Sequence, residues 1–157
     1  MWEQRLRNAN KLDSRILQRE DIPKEIGVYA WYLRTTDELV YIGRAIGKGG
    51  LRTRIWQQHL NPMYFENRKE VFNDRDSFQL NNPVLNKGKI VICKSTFRRT
   101  LAYHHSLRAG TDCVAYMKEH FLLSFLSFGT ADIQLVKDIE EELINKIQPK
   151  YNLMRST

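Results

Sequence analysis

The chain has 157 residues, 42% of them hydrophobic and 27% charged, with a formal net charge of +7 and a pI near 9.5. That length suits one domain with a real core. The composition excludes a disordered or fibrous chain, and the charge favours an anionic partner, most often nucleic acid. Two cysteines, Cys93 and Cys113, show no C-x-x-C spacing. They fit a reduced intracellular protein better than a disulfide scaffold or zinc site. The start, MWEQRLRNANK, is too charged for a signal peptide, and the apolar run Phe121 to Phe128 is too short to span a bilayer. The expectation is a soluble, cytoplasmic protein without a membrane partner.

In chain order, residues 1 to 22 mix charged and apolar residues and predict a helix that Pro23 ends. IGVYAWYL, Ile26 to Leu33, is rich in β-branched and aromatic residues and predicts a strand. A polar turn, Arg34 to Glu38, leads to a second strand, Leu39 to Ile42, giving a hairpin. Gly47, Gly49 and Gly50 break the chain, and Leu51 to Leu60 predicts a helix stopped by Asn61 and Pro62. FENRKEVFNDRDSFQLNNPVLNKG reads as irregular, GKIVIC as a strand, and TFRRTLAYHHSLRAG as a short basic helix ended by Gly110. HFLLSFLSF, from His120, predicts a buried strand. Thr130 is the expected N-cap of a helix running to about Gln148, with KYNL after Pro149.

The stretch VYIGRAIGKGG, Val40 to Gly50, has the composition of a phosphate-binding loop but not its spacing. A P-loop needs four residues between its first glycine and the Gly-Lys pair, then Ser or Thr for magnesium. Here three residues separate Gly43 from Gly47, and Gly49 follows Lys48. The dinucleotide fingerprint is absent as well.

Charge is unevenly distributed. Leu39 to Phe65 has no carboxylate but holds Arg44, Lys48, Arg52, Arg54 and His59. Lys87 to Gly110 is also acid-free and holds Lys87, Lys89, Lys94, Arg98, Arg99 and Arg108, with His104 and His105. Two such blocks point to phosphate contacts. Adjacent histidines on one helix do not share a metal ion, so His104 and His105 do not make a metal site.

Set on a 100° wheel, Ile133, Val136, Ile139, Leu143, Ile144 and Ile147 form one stripe of the last helix. Glu141 and Glu142 fall on the polar side, but Glu140 falls inside the stripe. A carboxylate there is costly unless paired or metal-bound. A salt bridge to a buried arginine, or escape at the stripe's edge, are the alternatives to a functional role.

Gly27-Val28-Tyr29, eleven residues, then Tyr41-Ile42-Gly43 resembles the GIY-YIG nuclease family. Leu51 to Arg54 looks like the family's first helix with its arginine, Arg54. EEELINKIQPKYN, Glu140 to Asn152, resembles the last family segment, whose glutamate stands nine residues before Pro149 and twelve before Asn152. That count lands on the residue the wheel singled out. The resemblance covers about residues 26 to 60 and 118 to 153, and is strongest to the incision domain of bacterial excision-repair nucleases and to restriction enzymes of the same fold.

The resemblance implies an α+β (α/β) fold: a three-stranded antiparallel sheet flanked by helices. Tyr29, Tyr41, Arg54 and Glu140 would be the catalytic set. Glu140 would hold Mg²⁺ or Mn²⁺, Arg54 would bind a phosphate oxygen, and Tyr29 or Tyr41 would be the general base while the other positions the water. Arg44 would supply a cation near the base, His59 a phosphate or proton contact, and Asn152 a bracing hydrogen bond. The alternatives are strand aromatics for the tyrosines, a salt-bridge partner for Arg54, a structural histidine for His59, and a helix-exit brace for Asn152.

Minimal members separate the arginine and glutamate by about half the distance found here, so residues 61 to 117 are an insertion. Lys48 and Arg52, with Arg98, Arg99 and Arg108 of the insertion, are the expected contacts to a DNA duplex; a solvated basic face is the alternative. The resulting expectation is a stand-alone, metal-dependent DNA endonuclease of restriction, phage or repair type, acting as a monomer or homodimer. An inactive nucleic-acid-binding module and an RNA-directed nuclease are the competing classes.

Overall fold

The computed structural model describes residues 1–129 and 132–154. The strands are β1 (Leu12–Asp13), β2 (Gly27–Leu33), β3 (Leu39–Ala45), β4 (Phe65–Glu66), β5 (Val84–Asn86), β6 (Lys89–Cys93) and β7 (Phe121–Ser127). The helices are α1 (Trp2–Asn8), α2 (Gly50–Arg52), α3 (Ser77–Asn81), α4 (Thr96–His105), α5 (Thr111–His120), α6 (Ile133–Ile147) and α7 (Lys150–Met154). Directly after α2 the chain winds into a π-helical segment, Thr53–His59. Among the described residues no helix is long and apolar enough to cross a membrane.

The architecture is α+β with two small antiparallel sheets. The larger has the order β1-β7-β2-β3 and the smaller β4-β6-β5. The larger sheet therefore has four strands, not the expected three; the extra one is the two-residue β1, paired to β7 through Leu12↔Leu123. The helix expected over residues 1 to 22 is correspondingly short. It stops at Asn8, and the chain turns back along the sheet.

β2 is apolar at nearly every position because both faces of the central sheet are covered. Tyr29 and Trp31 pack into one cluster with Tyr41, Leu51, Ile55, Phe97, Phe121 and Tyr151. Val28, Ala30 and Tyr32 pack into the opposite cluster with Leu6 of α1 and Val136, Ile139 and Leu143 of α6. The β2–β3 register pairs Tyr29 with Gly43 and Trp31 with Tyr41, then shifts so that Tyr32 pairs with Leu39. The bulge gives β3 one extra residue, Val40, which joins the aromatic side.

β3 is an edge strand of this sheet. Its residue Ile42 is buried, so its outward backbone groups need a partner. Asn152 of α7 supplies it. The Ile42 N–H donates to Asn152 Oδ1 at 2.8 Å, and Asn152 Nδ2 donates to Ile42 O at 2.8 Å. One amide side chain thus stands in for a neighbouring strand and ties the C-terminal helix to the hairpin.

The expected insertion, residues 61 to 117, is more structured than its composition suggested. It holds the β4-β6-β5 sheet, α3, α4 and most of α5. The β5–β6 turn places Lys87 (φ 52°) and Gly88 (φ 78°) in the left-handed region, the geometry of a type I′ hairpin. Cys93 and Cys113 are buried and unbridged, with Sγ atoms 3.3 Å apart. α6 begins at Ile133, where Asp132 Oδ1 accepts the Gln134 N–H at 2.9 Å; Thr130, the expected cap, lies outside the described residues.

Candidate active site

A cleft of about 510 Å³ opens where β3, the glycine-rich loop, the π-helical segment and α6 meet. Its wall includes Tyr41, Gly43, Arg44, Lys48, Thr53, Arg54, Gln58 and Glu140. Six of the twelve lining residues lie consecutively in Gly43 to Lys48, the heart of the loop that resembles a phosphate cradle in composition.

Glu140 reaches the cleft from α6, between the buried Val136 and Leu143. Its side chain is only 12% exposed, and Arg44 Nη1 donates to its Oε1 at 3.2 Å. The arginine is 42% exposed, so the pair is half in solvent. Glu140 thus has a salt-bridge partner, but in the exposed Arg44 of the cleft wall and not the buried arginine of the expectation. Among the described residues that line the cleft, Glu140 is the one carboxylate. Among the described residues no three His, Cys, Asp or Glu side chains form a metal-binding group. A single carboxylate suits a hard cation that keeps most of its waters and is completed by phosphate oxygens, as Mg²⁺ commonly is.

Arg54 and His59 are brought onto one side by the π-helix. In an α-helix, five residues turn a side chain by about 140° past alignment. The wider π-turn returns i+5 toward the same face, and π-segments concentrate at functional sites. The i−5 bond from Leu60 N–H to Ile55 O (2.9 Å) shows the winding. Arg54 Nη1 donates to Gln58 Oε1 at 2.8 Å, and its Nε donates to Tyr29 Oη at 3.4 Å.

Behind the cleft wall runs a buried hydrogen-bonded chain. Tyr29 Oη lies 2.6 Å from His59 Nε2, and His59 Nδ1 lies 2.8 Å from Ser95 Oγ. Tyr29 and His59 are fully buried. Burial pushes the Tyr29 phenol well above its ordinary value, so it stays protonated. Burial, then the positive charges of Arg54 and Arg98, push His59 well below the ordinary histidine range, so the ring is neutral. Gly43 lies opposite Tyr29 and makes room for it: a Cβ at Gly43 would overlap the phenol Cζ and Oη. The two tyrosines therefore differ. Tyr41, itself only 2% exposed, lines the cleft and stacks on Phe97 with ring centroids 4.2 Å apart, whereas Tyr29 lies beneath its floor.

The cationic residues divide in the same way. Lys48 lines the cleft with Arg44 and Arg54. Arg52 is not in its wall; its Nε donates to Ile22 O at 2.8 Å. Three expectations from the insertion need correction or narrowing. Arg98, expected on phosphate or base edges, is fully buried, and its Nη1 donates to Gln58 O (2.9 Å) and Asn61 O (2.6 Å) at the end of the π-segment. Arg99 is committed to the buried Asp76, Nε to Oδ1 at 2.9 Å, and to Val71 O at 3.1 Å. Arg108 is exposed but holds Asn82 O and Pro83 O, away from the cleft wall. Arginine forks suit carbonyls and carboxylates as well as phosphates, and only burial distinguishes the uses. Gln58, Thr53 and Ser95 were not anticipated. Gln58 stands four residues after Arg54, a readable helical neighbour.

Comparison with family models, with curated proteins and with solved structures finds no match for this chain.

Proposed function

We propose that the chain is a metal-dependent endonuclease that hydrolyses DNA phosphodiester bonds with a GIY-YIG type of site. The observation that carries the proposal is one cleft whose wall combines a tyrosine, three cations and a single carboxylate: Tyr41, Arg44, Lys48, Arg54 and Glu140. Phosphodiester hydrolysis needs a deprotonated water, neutralisation of the developing phosphate charge and a stabilised leaving oxygen.

In this reading the Arg54 guanidinium donates to a non-bridging phosphate oxygen, held in aim by Gln58 and Tyr29. Lys48 contacts the backbone as a point charge. Tyr41, in the cleft wall, takes the proton from the attacking water; the Arg54 guanidinium, whose charge interacts with Tyr41, favours the phenolate this requires. Tyr29, enclosed and protonated, is a positioning residue rather than the base. Glu140 would hold Mg²⁺ or Mn²⁺, which supplies charge neutralisation at the phosphate and its leaving oxygen. Arg44 would then exchange its carboxylate partner for the substrate.

The test is incubation of the purified protein with supercoiled plasmid and, separately, a structured RNA, each with Mg²⁺, Mn²⁺ or EDTA. The proposal expects nicking or cutting of the plasmid only with metal. RNA-only cleavage, or a salt-sensitive gel shift without cleavage under any condition, would overturn it.

A further inference from the structure

Arg54 gives the hydrogen bonds behind the cleft their favoured direction. Arg54 Nε can only donate, so Tyr29 Oη accepts from it. The buried Tyr29 proton needs an acceptor of its own, and His59 Nε2, 2.6 Å away, offers it. That nitrogen is therefore unprotonated. A neutral imidazole carries its one proton on the other nitrogen, so His59 Nδ1–H donates to Ser95 Oγ at 2.8 Å. The same Oγ accepts the Arg98 N–H at 3.3 Å and caps α4. Ser95 is buried, and it belongs to the segment between Arg54 and Glu140 that the sequence reads as an insertion.

We propose that Ser95 is a positioning residue: its hydroxyl anchors His59 at Nδ1 and, through His59 and Tyr29, fixes the Arg54 guanidinium at the cleft. The inserted segment is thus a working part of the site rather than an added DNA-binding surface. Arg98 supports the same end, since it ties Gln58 O and Asn61 O where the π-segment closes. The alternative tautomer would aim an Nε2–H at the Tyr29 oxygen and turn the phenol proton toward Arg54, donor against donor. Chains of this kind gain from mutual polarisation and lose when one link reverses. Around His59 stand Tyr29, Trp31, Tyr41, Phe97 and Ser95, with the cations Arg54 and Arg98.

The consequence for Arg54 rests on the nuclease reading; the tautomer does not, and the test separates them. Glycine is tolerated as an N-cap, so Ser95→Gly removes the hydroxyl with little harm to α4, and Ser95→Thr restores it. Imidazole nitrogen shifts of ¹⁵N-histidine-labelled protein, with His59 assigned by the loss of its signals in His59→Gln, report the tautomer directly. The wild type and Ser95→Thr are expected to show protonated Nδ1 and bare Nε2, and Ser95→Gly an Nδ1 shift moved by loss of its hydrogen-bond partner. Plasmid cleavage by Ser95→Gly is expected to fall roughly ten-fold or more, on the scale of a misoriented acid–base group, with Ser95→Thr near wild type. Protonated Nε2 in the wild type, an Nδ1 shift unchanged in Ser95→Gly, or an undiminished cleavage rate in Ser95→Gly would each overturn the proposal. If the wild type does not cleave at all, the nuclease reading fails, and the Arg54 part of the proposal falls with it; the nitrogen shifts still decide the tautomer part.

Discussion

Replacing Asn152 by alanine removes both bonds that complete the buried edge strand at Ile42, each 2.8 Å long. Each is worth about 1 kcal/mol net, but a buried N–H or C=O left without a partner costs roughly 1–3 kcal/mol. Water entering the space left by the amide offsets part of this, so a loss of about 2–4 kcal/mol is expected. For a chain of this length that corresponds to a Tm lower by roughly 5–15 °C. Asn152→Asp refines the test. Its carboxylate keeps an acceptor for the Ile42 N–H but sets a second oxygen against Ile42 O. Protonation supplies the missing donor, so the folded state raises the pKa of that aspartate above about 3.9. The stabilisation is present below the unfolded value and is lost as pH rises through the folded one. Urea unfolding of wild type, Asn152→Ala and Asn152→Asp at pH 7.5 and about pH 4.5 should show the aspartate variant closing on wild type at the lower pH. An alanine variant within about 0.5 kcal/mol of wild type, or an aspartate gap that does not narrow, would refute the edge-strand argument.

Other outcomes follow from the same geometry. His59 has its pKa depressed on folding, so the unfolded chain binds its proton first, and stability falls as pH drops below about 6.5, by up to roughly 1.4 kcal/mol per pH unit; the gap between wild type and His59→Gln in urea unfolding should shrink from pH 7 to pH 5, and a constant gap would contradict a neutral buried ring. Gly43→Ala should cost about 1–3 kcal/mol by overpacking against the Tyr29 phenol, read as a lower urea midpoint; a neutral change would mean the phenol moves freely. Arg98→Ala and Lys48→Ala should behave oppositely: the first lowers stability by about 2–4 kcal/mol through two orphaned carbonyls, while the second leaves stability unchanged and lowers the salt slope of DNA binding by about one. A salt-slope change in a folded Arg98→Ala protein would return that arginine to the surface.

Where the sequence was legible, a local period or a local stop carried the information. β2 and β3 stand out because β-branched and aromatic residues run between turn signals, and α6 because its apolar residues recur at helical spacing. Glu140 is conspicuous for the same reason: a charge breaks the stripe, and a stripe is a local property. The rest depended on distance. The π-winding that aligns Arg54 with His59 has no signature in a wheel drawn at 100° per residue. Ser95 is recognisable as a helix cap, but its bond to His59 joins residues far apart in the chain. The basic block from Lys87 to Gly110 suggested a nucleic-acid surface because charge alone does not reveal burial; Arg98 and Arg99 turn inward to carbonyls and to Asp76. Residues 9 to 22 carry enough helix formers to suggest a helix, yet β1 and the pairing to β7 prevail.

The most direct test of the central claim is the rate of supercoiled plasmid nicking in Mg²⁺ by wild type and by Glu140→Ala, with a gel shift in EDTA to show that both bind DNA. The cleft described here predicts metal-dependent nicking by wild type and none above background for the variant, with binding retained. Equal nicking by the two proteins would contradict it and place the chemistry elsewhere.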